Sequence, residues 1–344
     1  MLISDARLLW QPAGVYCNTA SYGLPPAPAW EELQAALRDW HGGATSWEHW
    51  GESVERARTT FAELVGVGTS RIAVGSTVSE LVGSVITALP AGARVVVPEV
   101  EFTSTLFPLL VQERLEVMLV PADRLAEAIA DGADAAAFSA VQMSTGEVAD
   151  LDAIAQAAQA SGAITVCDAT QAIGWLPLAA GRFDAVVCSA YKWLMSPRGS
   201  AFVAVSDRML ERVVPHSAGW YAGADVHASY FGPPLRLAGD ARRLDLSPAW
   251  FSWVGTAPAL ELVAAIGVDA IRDHNVTLAN RFRAGLGLAP SDSAIVCADV
   301  PDATERLRAA GVIAAERGGR LRVSWHVYND ERDVDMVLEA LGGG

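Results

Sequence analysis

Two apolar runs decide the fold of this chain: Ile164-Thr165-Val166-Cys167-Asp168-Ala169-Thr170-Gln171 and Ala185-Val186-Val187-Cys188-Ser189-Ala190-Tyr191-Lys192-Trp193. Each run is short, rich in β-branched residues and followed by polar residues, which is typical of a strand buried in a parallel sheet. Asp168 and Lys192 follow these successive strands about 24 residues apart, the spacing of a βαβ unit. The carboxyl ends of parallel strands meet at one edge of the sheet, where ligands bind. We therefore predict that this acid and this lysine face a common site.

The same pattern predicts an α/β fold with a large and a small domain. Apolar runs alternate with alanine-rich helical stretches up to residue 256, which indicates a mainly parallel sheet between helices. A shorter pattern of helices and strands then predicts a small α+β domain. We expect the N-terminal segment and large domain to span 1–256 and the small C-terminal domain 257–344, with the terminal glycines frayed. The predicted strands of the large domain are Arg71–Val74, Arg94–Val97, Ala135–Ser139, Ile164–Cys167, Ala185–Cys188 and Ala201–Val205.

Composition narrows the possible functions. The chain has 344 residues, 51% of them hydrophobic, and a net charge of −15, which argues against disorder and against nucleic-acid binding. The start shows no secretory signal, and no apolar window is long enough for a membrane span. We expect a soluble, cytoplasmic protein. Its four cysteines and six histidines are scattered without metal-ligand spacing, so no metal site is expected.

The 25 basic residues include a single lysine, Lys192. Arginine stays protonated, whereas a primary amine can lose its proton and condense with a carbonyl group. A lysine that forms a Schiff base and a carboxylate that faces a pyridine nitrogen are the two groups that pyridoxal 5′-phosphate requires. Lys192 and Asp168 therefore predict a pyridoxal-phosphate enzyme. The alternatives are that Lys192 was left by chance and that Asp168 caps a helix.

Six motifs occur in an order that resembles the class V aminotransferase family of fold-type I pyridoxal-phosphate enzymes, which includes cysteine desulfurases, kynureninase and isopenicillin N epimerase-like proteins. The resemblance covers nearly the whole chain and implies a seven-stranded, mainly parallel sheet, the cofactor, an amino-acid substrate and a homodimer. The motifs are Asn18–Ser21, Gly75–Glu80, Asp168–Gln171, Ser189–Trp193, Gly255–Thr256 and Arg322–Asn329.

The resemblance also implies roles for individual residues. Ser76, Thr77 and Val78 would hold the cofactor phosphate at a helix N-terminus, with Ser189 and Tyr191 adding donors. The residues expected to bind the cofactor are Ser76, Thr77, Val78, Thr103, Asp168, Gln171, Ser189, Tyr191, Lys192 and Thr256.

Three further expectations follow from the same resemblance. Gln171 would bond the phenolic oxygen of the cofactor ring, and Thr256 would reach the phosphate from the partner subunit of a homodimer. Arg322 would clamp the substrate α-carboxylate, which a planar guanidinium fits well.

The chain departs from the family at two places. The region 302–311 has no cysteine to accept sulfur, and Leu307 stands near the expected position, so a persulfide relay is not expected. Thr103 stands where relatives carry a histidine that stacks on the ring, so either Phe102 moves in or the ring is covered differently. Because the chain most resembles the desulfurase-related branch but lacks its sulfur-accepting thiol, we expect a C–S lyase that works by β-elimination on a cysteine conjugate. Transamination and epimerisation stay open because they share the first steps.

Two other classes are less favoured by the sequence. A nucleotide-binding oxidoreductase would need a GxGxxG turn, which is absent, and a non-catalytic binding protein would not need Asp168, Gln171, Lys192 and Arg322 together. For the substrate side chain we expect the aromatic loops Ser46–Trp50 and Gly219–Gly223. Arg242 and Arg243 would either reach a second acidic group or pair with surface carboxylates.

Overall fold

The computed structural model describes residues 1–342; the last two of the terminal glycines, for which fraying was expected, lie outside the described residues. The helices are α1 (Ile3–Ala6), α2 (Ala27–Gly42), α3 (Trp47–Leu64), α4 (Val78–Val85), α5 (Thr103–Leu110), α6 (Leu125–Ala130), α7 (Leu151–Ser161), α8 (Asp207–Leu210), α9 (Trp250–Ile266), α10 (Val268–Gly285), α11 (Ala303–Ala309) and α12 (Glu331–Ala340). The strands are β1 (Ile72–Gly75), β2 (Arg94–Pro98), β3 (Glu116–Val120), β4 (Ala135–Ser139), β5 (Ile164–Asp168), β6 (Ala185–Ser189), β7 (Ala201–Val205), β8 (Ile295–Ala298), β9 (Ala315–Arg317) and β10 (Arg320–Ser324).

The large sheet has seven strands in the order β1-β7-β6-β5-β4-β2-β3, as expected. Only β7 runs antiparallel to its neighbours, β1 and β6. Strands β4, β5 and β6 are buried at every position, which agrees with apolar runs covered by helices on both faces. The edge strand β3 was not predicted; it contains the apolar run Val117–Val120, but it is exposed or half-buried along its whole length.

The small sheet has the order β8-β10-β9 and is antiparallel. The N-terminal segment joins it through single bridges from Tyr16 to Ile313 and from Asn18 to Ser324. This segment therefore lies between the small sheet and the carboxyl edge of the large sheet.

Two helices differ from the prediction. The stretch from Trp47, expected to be a loop, begins helix α3, whose Ser46 hydroxyl caps the amide of His49. Helix α9 begins at Trp250, before the expected end of the large domain at residue 256, and Pro258 lies inside it although proline is more usual in a first turn.

Helix α9 also affects the domain division. The expected boundary after residue 256 falls inside this helix, which packs along α2 and α3 of the large domain. Helix α10, by contrast, packs against α12 and β8. We propose that the boundary lies at Gly267, between α9 and α10.

Among residues 1–342, no single helix is both long and apolar enough to cross a membrane; α9 and α10 meet that description only as a pair, which is bent by 82°.

Candidate active site

Asp168 and Lys192 line one cavity at the carboxyl edge of the large sheet. Strand β5 ends at Asp168, and its parallel neighbour β6 ends at Ser189, three residues before Lys192. The same cavity is lined by residues from the ends of β1 and β2, so four strand ends contribute to it. The topology thus brings the acid and the lysine together.

The carboxylate of Asp168 is held from two sides. The Thr105 hydroxyl donates to Oδ2 at 3.2 Å, and the Thr170 amide donates to Oδ1 at 2.9 Å. The Thr170 hydroxyl in turn accepts the amide of Ser189 at 3.0 Å, which ties the two strand ends together. These neutral donors orient Asp168 and leave its charge without a salt bridge among the described residues.

The amine of Lys192 is buried without a salt bridge to any described residue. Only 6% of the side chain is exposed, and burial lowers the pKa of Lys192 to about 8, against the opposing effect of Asp168. The rings of Phe102 and Tyr191 each lie 5.7 Å from the nitrogen. A substantial neutral fraction near pH 8 gives this amine the nucleophilic form that an aldehyde requires.

Two glycines pack closely against the backbone of the turn formed by residues 191–193. Gly23 donates to the Tyr191 carbonyl at 2.9 Å, and a Cβ at Gly23 would lie 2.0 Å from the carbonyl oxygen of Lys192. Gly174 has φ 111°, and a Cβ there would lie 2.7 Å from the carbonyl oxygen of Trp193. Any side chain at either position would displace the turn.

The start of helix α4 supplies hydrogen-bond donors to the cavity. Ser76, Thr77, Val78 and Ser79 line it, and the Thr77 hydroxyl accepts the amide of Glu80 at 3.3 Å. Within the described part of the chain, nothing accepts from the amides of Val78 and Ser79. Free amides at a helix N-terminus favour an anion such as a phosphate.

A cation and more hydroxyls complete the cavity wall. Ser189 and Tyr191 line it as expected, together with Arg198, whose guanidinium lies 5.1 Å from the Tyr191 ring. The sequence analysis did not identify Arg198, although its place six residues after the sole lysine was a usable signal. Amides, hydroxyls and a guanidinium fit a phosphate, while Lys192 and Asp168 fit the aldehyde and the ring nitrogen.

Thr103 is not where it was expected. It is exposed at the start of helix α5 and does not line the cavity, whereas its neighbours Phe102 and Ser104 do. Phe102, like Tyr191, has its ring 5.7 Å from the Lys192 nitrogen, so the first of the two alternatives for covering the cofactor ring stays a prediction. Its amide is fixed by the buried carboxylate of Glu101 at 2.8 Å, a positioning contact that the sequence analysis missed.

Gln171 is used mainly within the protein. Its Nε2 donates to the Ala20 carbonyl at 2.9 Å, and its Oε1 accepts from Trp193 Nε1 at 2.8 Å. It does not line the cavity, so only its second N–H is left for the ring oxygen. In this structure Gln171 links the residue after Lys192 to the N-terminal segment.

The position of Thr256 does not support its expected role, which was to reach the cofactor phosphate of a partner subunit. Thr256 lies within helix α9 and is fully buried. Its hydroxyl is bonded to the Ser252 carbonyl at 2.7 Å and to the Ser200 hydroxyl at 2.8 Å. This hydroxyl is therefore engaged inside its own chain and not presented to a partner subunit.

Arg322 lies on strand β10, is 1% exposed and is not among the residues that line the cavity. It donates to the Met143 carbonyl at 2.9 Å and to the Ser21 hydroxyl at 2.5 Å. Burial, then the charge of Arg317, lowers the pKa of Arg322 to about 10, and Arg322 itself contributes to the lowered pKa of Lys192. A guanidinium thus stands near the lysine, as a carboxylate clamp requires.

The aromatic residues expected to bind the substrate side chain form a separate cavity. Trp47 contacts Trp220, with ring centroids 5.1 Å apart, beside a cavity of about 820 Å³ that shares no lining residue with the Lys192 cavity. Arg242 lies 4.0 Å from Asp245, and Arg243 donates to the Ala238 carbonyl at 3.0 Å. In a single chain these groups do not reach Lys192.

The region expected to lack a sulfur acceptor is helical. Leu307 is buried in helix α11, within the core of the small domain. All four cysteines are free and buried, and burial raises the pKa of Cys297. Among residues 1–342, no group of three or more His, Cys, Asp or Glu side chains is placed to hold a metal ion.

The cavity combines a buried lysine, a carboxylate and a helix N-terminus that suits a phosphate, at the edge of a seven-stranded sheet. This combination defines the class of fold-type I pyridoxal-phosphate enzymes. The family model Aminotransferase class-V matches residues 25–307, and the chain belongs to this family. When bound, the pyridoxal-phosphate cofactor of these enzymes withdraws electrons from the Cα of an amino acid.

Curated relatives agree with the family. The uncharacterized aminotransferase YcbU of Bacillus subtilis is 26% identical over 90% of both chains. Kynureninase of Deinococcus radiodurans is 28% identical over 72% of this chain and 62% of its own length. Isopenicillin N epimerase of Amycolatopsis lactamdurans is 29% identical over 59% of this chain and 58% of its own.

Solved structures agree on the fold. The apo cysteine desulfurase of Thermococcus onnurineus NA1 has a TM-score of 0.85 and 19% identity, covering 98% of this chain and 97% of its own. The cystine C-S lyase C-DES, in complex with cysteine persulfide, has a TM-score of 0.83 and 20% identity, covering 96% and 97%. The fold-type I expectation is confirmed.

Proposed function

We propose that this enzyme cleaves the C–S bond of a cysteine conjugate by β-elimination, with Lys192 as the catalytic residue. The observation that carries this proposal is the state of Lys192: a buried amine with no salt-bridge partner among the described residues, with a pKa near 8, in one cavity with Asp168. Lys192 would hold the cofactor through its aldehyde and, once released by substrate, would take the Cα proton as general base.

The surrounding residues would bind and orient. Asp168, held by Thr105 and Thr170, would keep the ring nitrogen protonated. The start of helix α4, with Ser189, Tyr191 and Arg198, would hold the phosphate. The remaining Gln171 N–H would reach the phenolic oxygen, and Arg322 would bind the α-carboxylate.

The choice of β-elimination is supported by the cysteines. A sulfur relay needs an accessible thiol, and the four thiols of this chain are all buried. Sulfur would instead leave the substrate directly as a thiol, and water would convert the remaining carbon skeleton to pyruvate and ammonia. The fold shared with the C-S lyase C-DES is compatible with this reaction. Transamination is the second candidate, because the relative that matches 90% of both chains is an aminotransferase by name.

A product assay separates these reactions. S-substituted cysteines and common amino acids are incubated with the purified protein, with and without 2-oxoglutarate. We expect pyruvate, ammonia and thiol from the cysteine conjugates without any keto acid. Cys297→Ala should retain this activity, because no persulfide is formed.

Other products would contradict the lyase proposal. Turnover that depends on 2-oxoglutarate would identify an aminotransferase, and D-amino acid formation without loss of sulfur would identify an epimerase. Loss of activity in Cys297→Ala, with the fold intact by circular dichroism, would indicate a sulfur relay after all.

The active unit is proposed to be a homodimer in the cytoplasm. Large apolar side chains that are more than half exposed support an interface: Trp30, Trp40, Phe231 and Leu235. Free cysteines suit a reducing compartment. Light scattering coupled to gel filtration would test the dimer.

A further inference from the structure

Two guanidinium groups converge on one hydroxyl, and both lie near enough to Lys192 for their charges to act on it. Nη2 of Arg322 lies 2.5 Å and Nη2 of Arg317 lies 3.1 Å from the Oγ of Ser21. Neither arginine forms a salt bridge with a carboxylate among the described residues. Two like charges held together in a partly buried place repel each other, and an anion between them would remove that repulsion.

Hydrogen-bond donors at this place are left over. Arg322 is 1% exposed, yet its Nε is buried and has no partner among the described residues. The Ser21 oxygen accepts from both arginines, so the hydrogen of its own hydroxyl is free to be donated. A buried donor without an acceptor is costly in a finished structure, which indicates that a ligand supplies the acceptor.

The hairpin that carries these arginines is well defined. Strands β9 and β10 are joined by Gly318 and Gly319, with φ of 57° and 76°, the two-residue turn that suits a tight hairpin. Arg317 on β9 lies directly opposite Arg320 on β10 in the strand register, and Arg322 lies two residues after Arg320. The three side chains therefore lie on the same face of the small sheet.

The three arginines differ in what balances their charge. Arg320 has the carboxylate of Asp299 at 3.2 Å, whereas no carboxylate in residues 1–342 lies within salt-bridge distance of Arg317 or Arg322. Arg322 is fully buried, and Arg317 is half-buried at the end of the hairpin. One guanidinium binds a single carboxylate through two parallel N–H groups. If Arg322 binds the α-carboxylate of the substrate, Arg317 therefore still has no anionic partner among the described residues.

We infer that Arg317, with the Ser21 hydroxyl, binds a second acidic group carried by the side chain of the substrate. The inference rests on the proposed function, in which Arg322 binds the α-carboxylate. It names the substrate class as α-amino acids with an acidic side chain, and for a C–S lyase as cysteine conjugates whose departing thiol carries a carboxylate. Arg317 is then the residue that determines specificity.

Binding of unreactive acids tests this inference without turnover. Succinate, glutarate and adipate, and the monocarboxylates with the same number of carbons, are titrated into the holoenzyme by calorimetry. We expect the best dicarboxylate to bind at least about tenfold more tightly than its monocarboxylate, as a charge-assisted pair would give. Arg317→Gln should abolish this preference and leave the monocarboxylate affinity unchanged.

The matched control is Arg320→Gln, on the same face of the same hairpin, which should leave both affinities as they are. Circular dichroism establishes that the variants are folded. In turnover, Arg317→Gln should raise KM for S-carboxymethylcysteine by about tenfold with little effect on KM for S-propylcysteine or on kcat.

The inference is overturned if dicarboxylates and monocarboxylates bind alike, or if Arg317→Gln weakens both classes equally. Because the probes carry no amine, their binding does not depend on the chemistry of Lys192. If the protein prefers dicarboxylates but shows no turnover of cysteine conjugates, the proposed function is contradicted and this inference is not. If it turns over cysteine conjugates but binds dicarboxylates and monocarboxylates alike, this inference is contradicted and the proposed function is not.

Discussion

Two of the buried basic side chains, Arg58 and Lys192, have opposite surroundings. Arg58, 2% exposed on helix α3, donates to the Asp245 carboxylate at 2.7 Å and to the Ile72 carbonyl at 2.7 Å. Lys192, 6% exposed at the carboxyl edge of the sheet, has no carboxylate within salt-bridge distance among the described residues. One buried charge is matched by its surroundings, and the other is not.

This difference separates a structural charge from a reactive one. Asp245 also accepts a hydrogen bond from the amide of Val74 at 2.8 Å. The ion pair of Arg58 and Asp245 therefore fixes strand β1, which leads to Ser76 and the start of helix α4. The unmatched Lys192 carries a cost instead: a pKa that falls from 10.5 to about 8 corresponds to about 3 kcal/mol against the protonated form. That cost keeps a neutral amine within reach of physiological pH.

The largest expected effect comes from replacing Lys192 with methionine, which keeps the apolar stem and removes the amine. Activity should fall by at least about 10³-fold, since the cofactor attachment and the general base are both lost. The long-wavelength absorption band of the bound cofactor should disappear. In the cofactor-free protein, the free energy of unfolding at pH 7 should rise, by up to about 3 kcal/mol, because an unmatched buried charge is removed.

Borohydride reduction of the loaded wild-type protein provides an independent check. Because the chain has one lysine, the cofactor should be fixed to the single peptide that contains Lys192. A Lys192→Met protein that remains yellow and active, or that is clearly destabilised without cofactor, would contradict the distinction drawn between the two buried charges.

The same substitution at Arg58 should act in the opposite direction. Arg58→Met leaves the fully buried Asp245 carboxylate with Arg242, 4.0 Å away, in place of the guanidinium at 2.7 Å, so the free energy of unfolding should fall by about 3 kcal/mol. Urea denaturation of the cofactor-free protein measures this change. Cofactor affinity should decrease less than stability, because the hydrogen-bond partners of Arg58, which are Glu55, Ile72 and Asp245, do not line the cavity.

Arg56, on the same helix, is the matched control. It pairs with Glu32 and Glu261, but its side chain is 41% exposed, so Arg56→Met should cost less than about 1 kcal/mol. If the two arginine variants were equally destabilised, burial of the charge pair would not be what makes Arg58 structural.

Of these two buried charges, the sequence predicted the role of Lys192 but not that of Arg58. The strands ending at Asp168 and Ser189 were predictable because their apolar runs are buried on both faces and local in the chain. Lys192 stood out by composition alone. Arg58 did not, since nothing local shows that Asp245, 187 positions away, folds against it.

The site was predicted unevenly for the same reason. Ser76, Thr77, Val78, Ser189 and Tyr191 lie next to strand ends, and they line the cavity. The engagement of Gln171 by Trp193 and Ala20, and of Thr256 by Ser200, depends on which distant segments meet, which a motif does not specify.

The smallest expected effect is the gradual change with pH in the rate at which the cofactor attaches to Lys192. Attachment requires the neutral amine, so the initial rate of appearance of the absorption band should rise about tenfold per pH unit below pH 8 and level off above it. An ordinary lysine would keep this rate rising to about pH 10.5. Stopped-flow absorption of the cofactor-free protein mixed with pyridoxal phosphate measures the profile, with N-acetyl-lysine as the exposed control.

The stability of the cofactor-free protein should follow the same group with a defined sign. The unfolded chain keeps the Lys192 proton up to about pH 10.5, whereas the folded chain loses it near pH 8. Between these values the unfolded state binds more protons, so the contribution of Lys192 to the free energy of unfolding rises with pH across this window. Lys192→Met should lack this rise and Arg58→Met should keep it. A loading profile that climbs past pH 10 would show that Lys192 is solvated, and the difference between the two buried charges would then vanish.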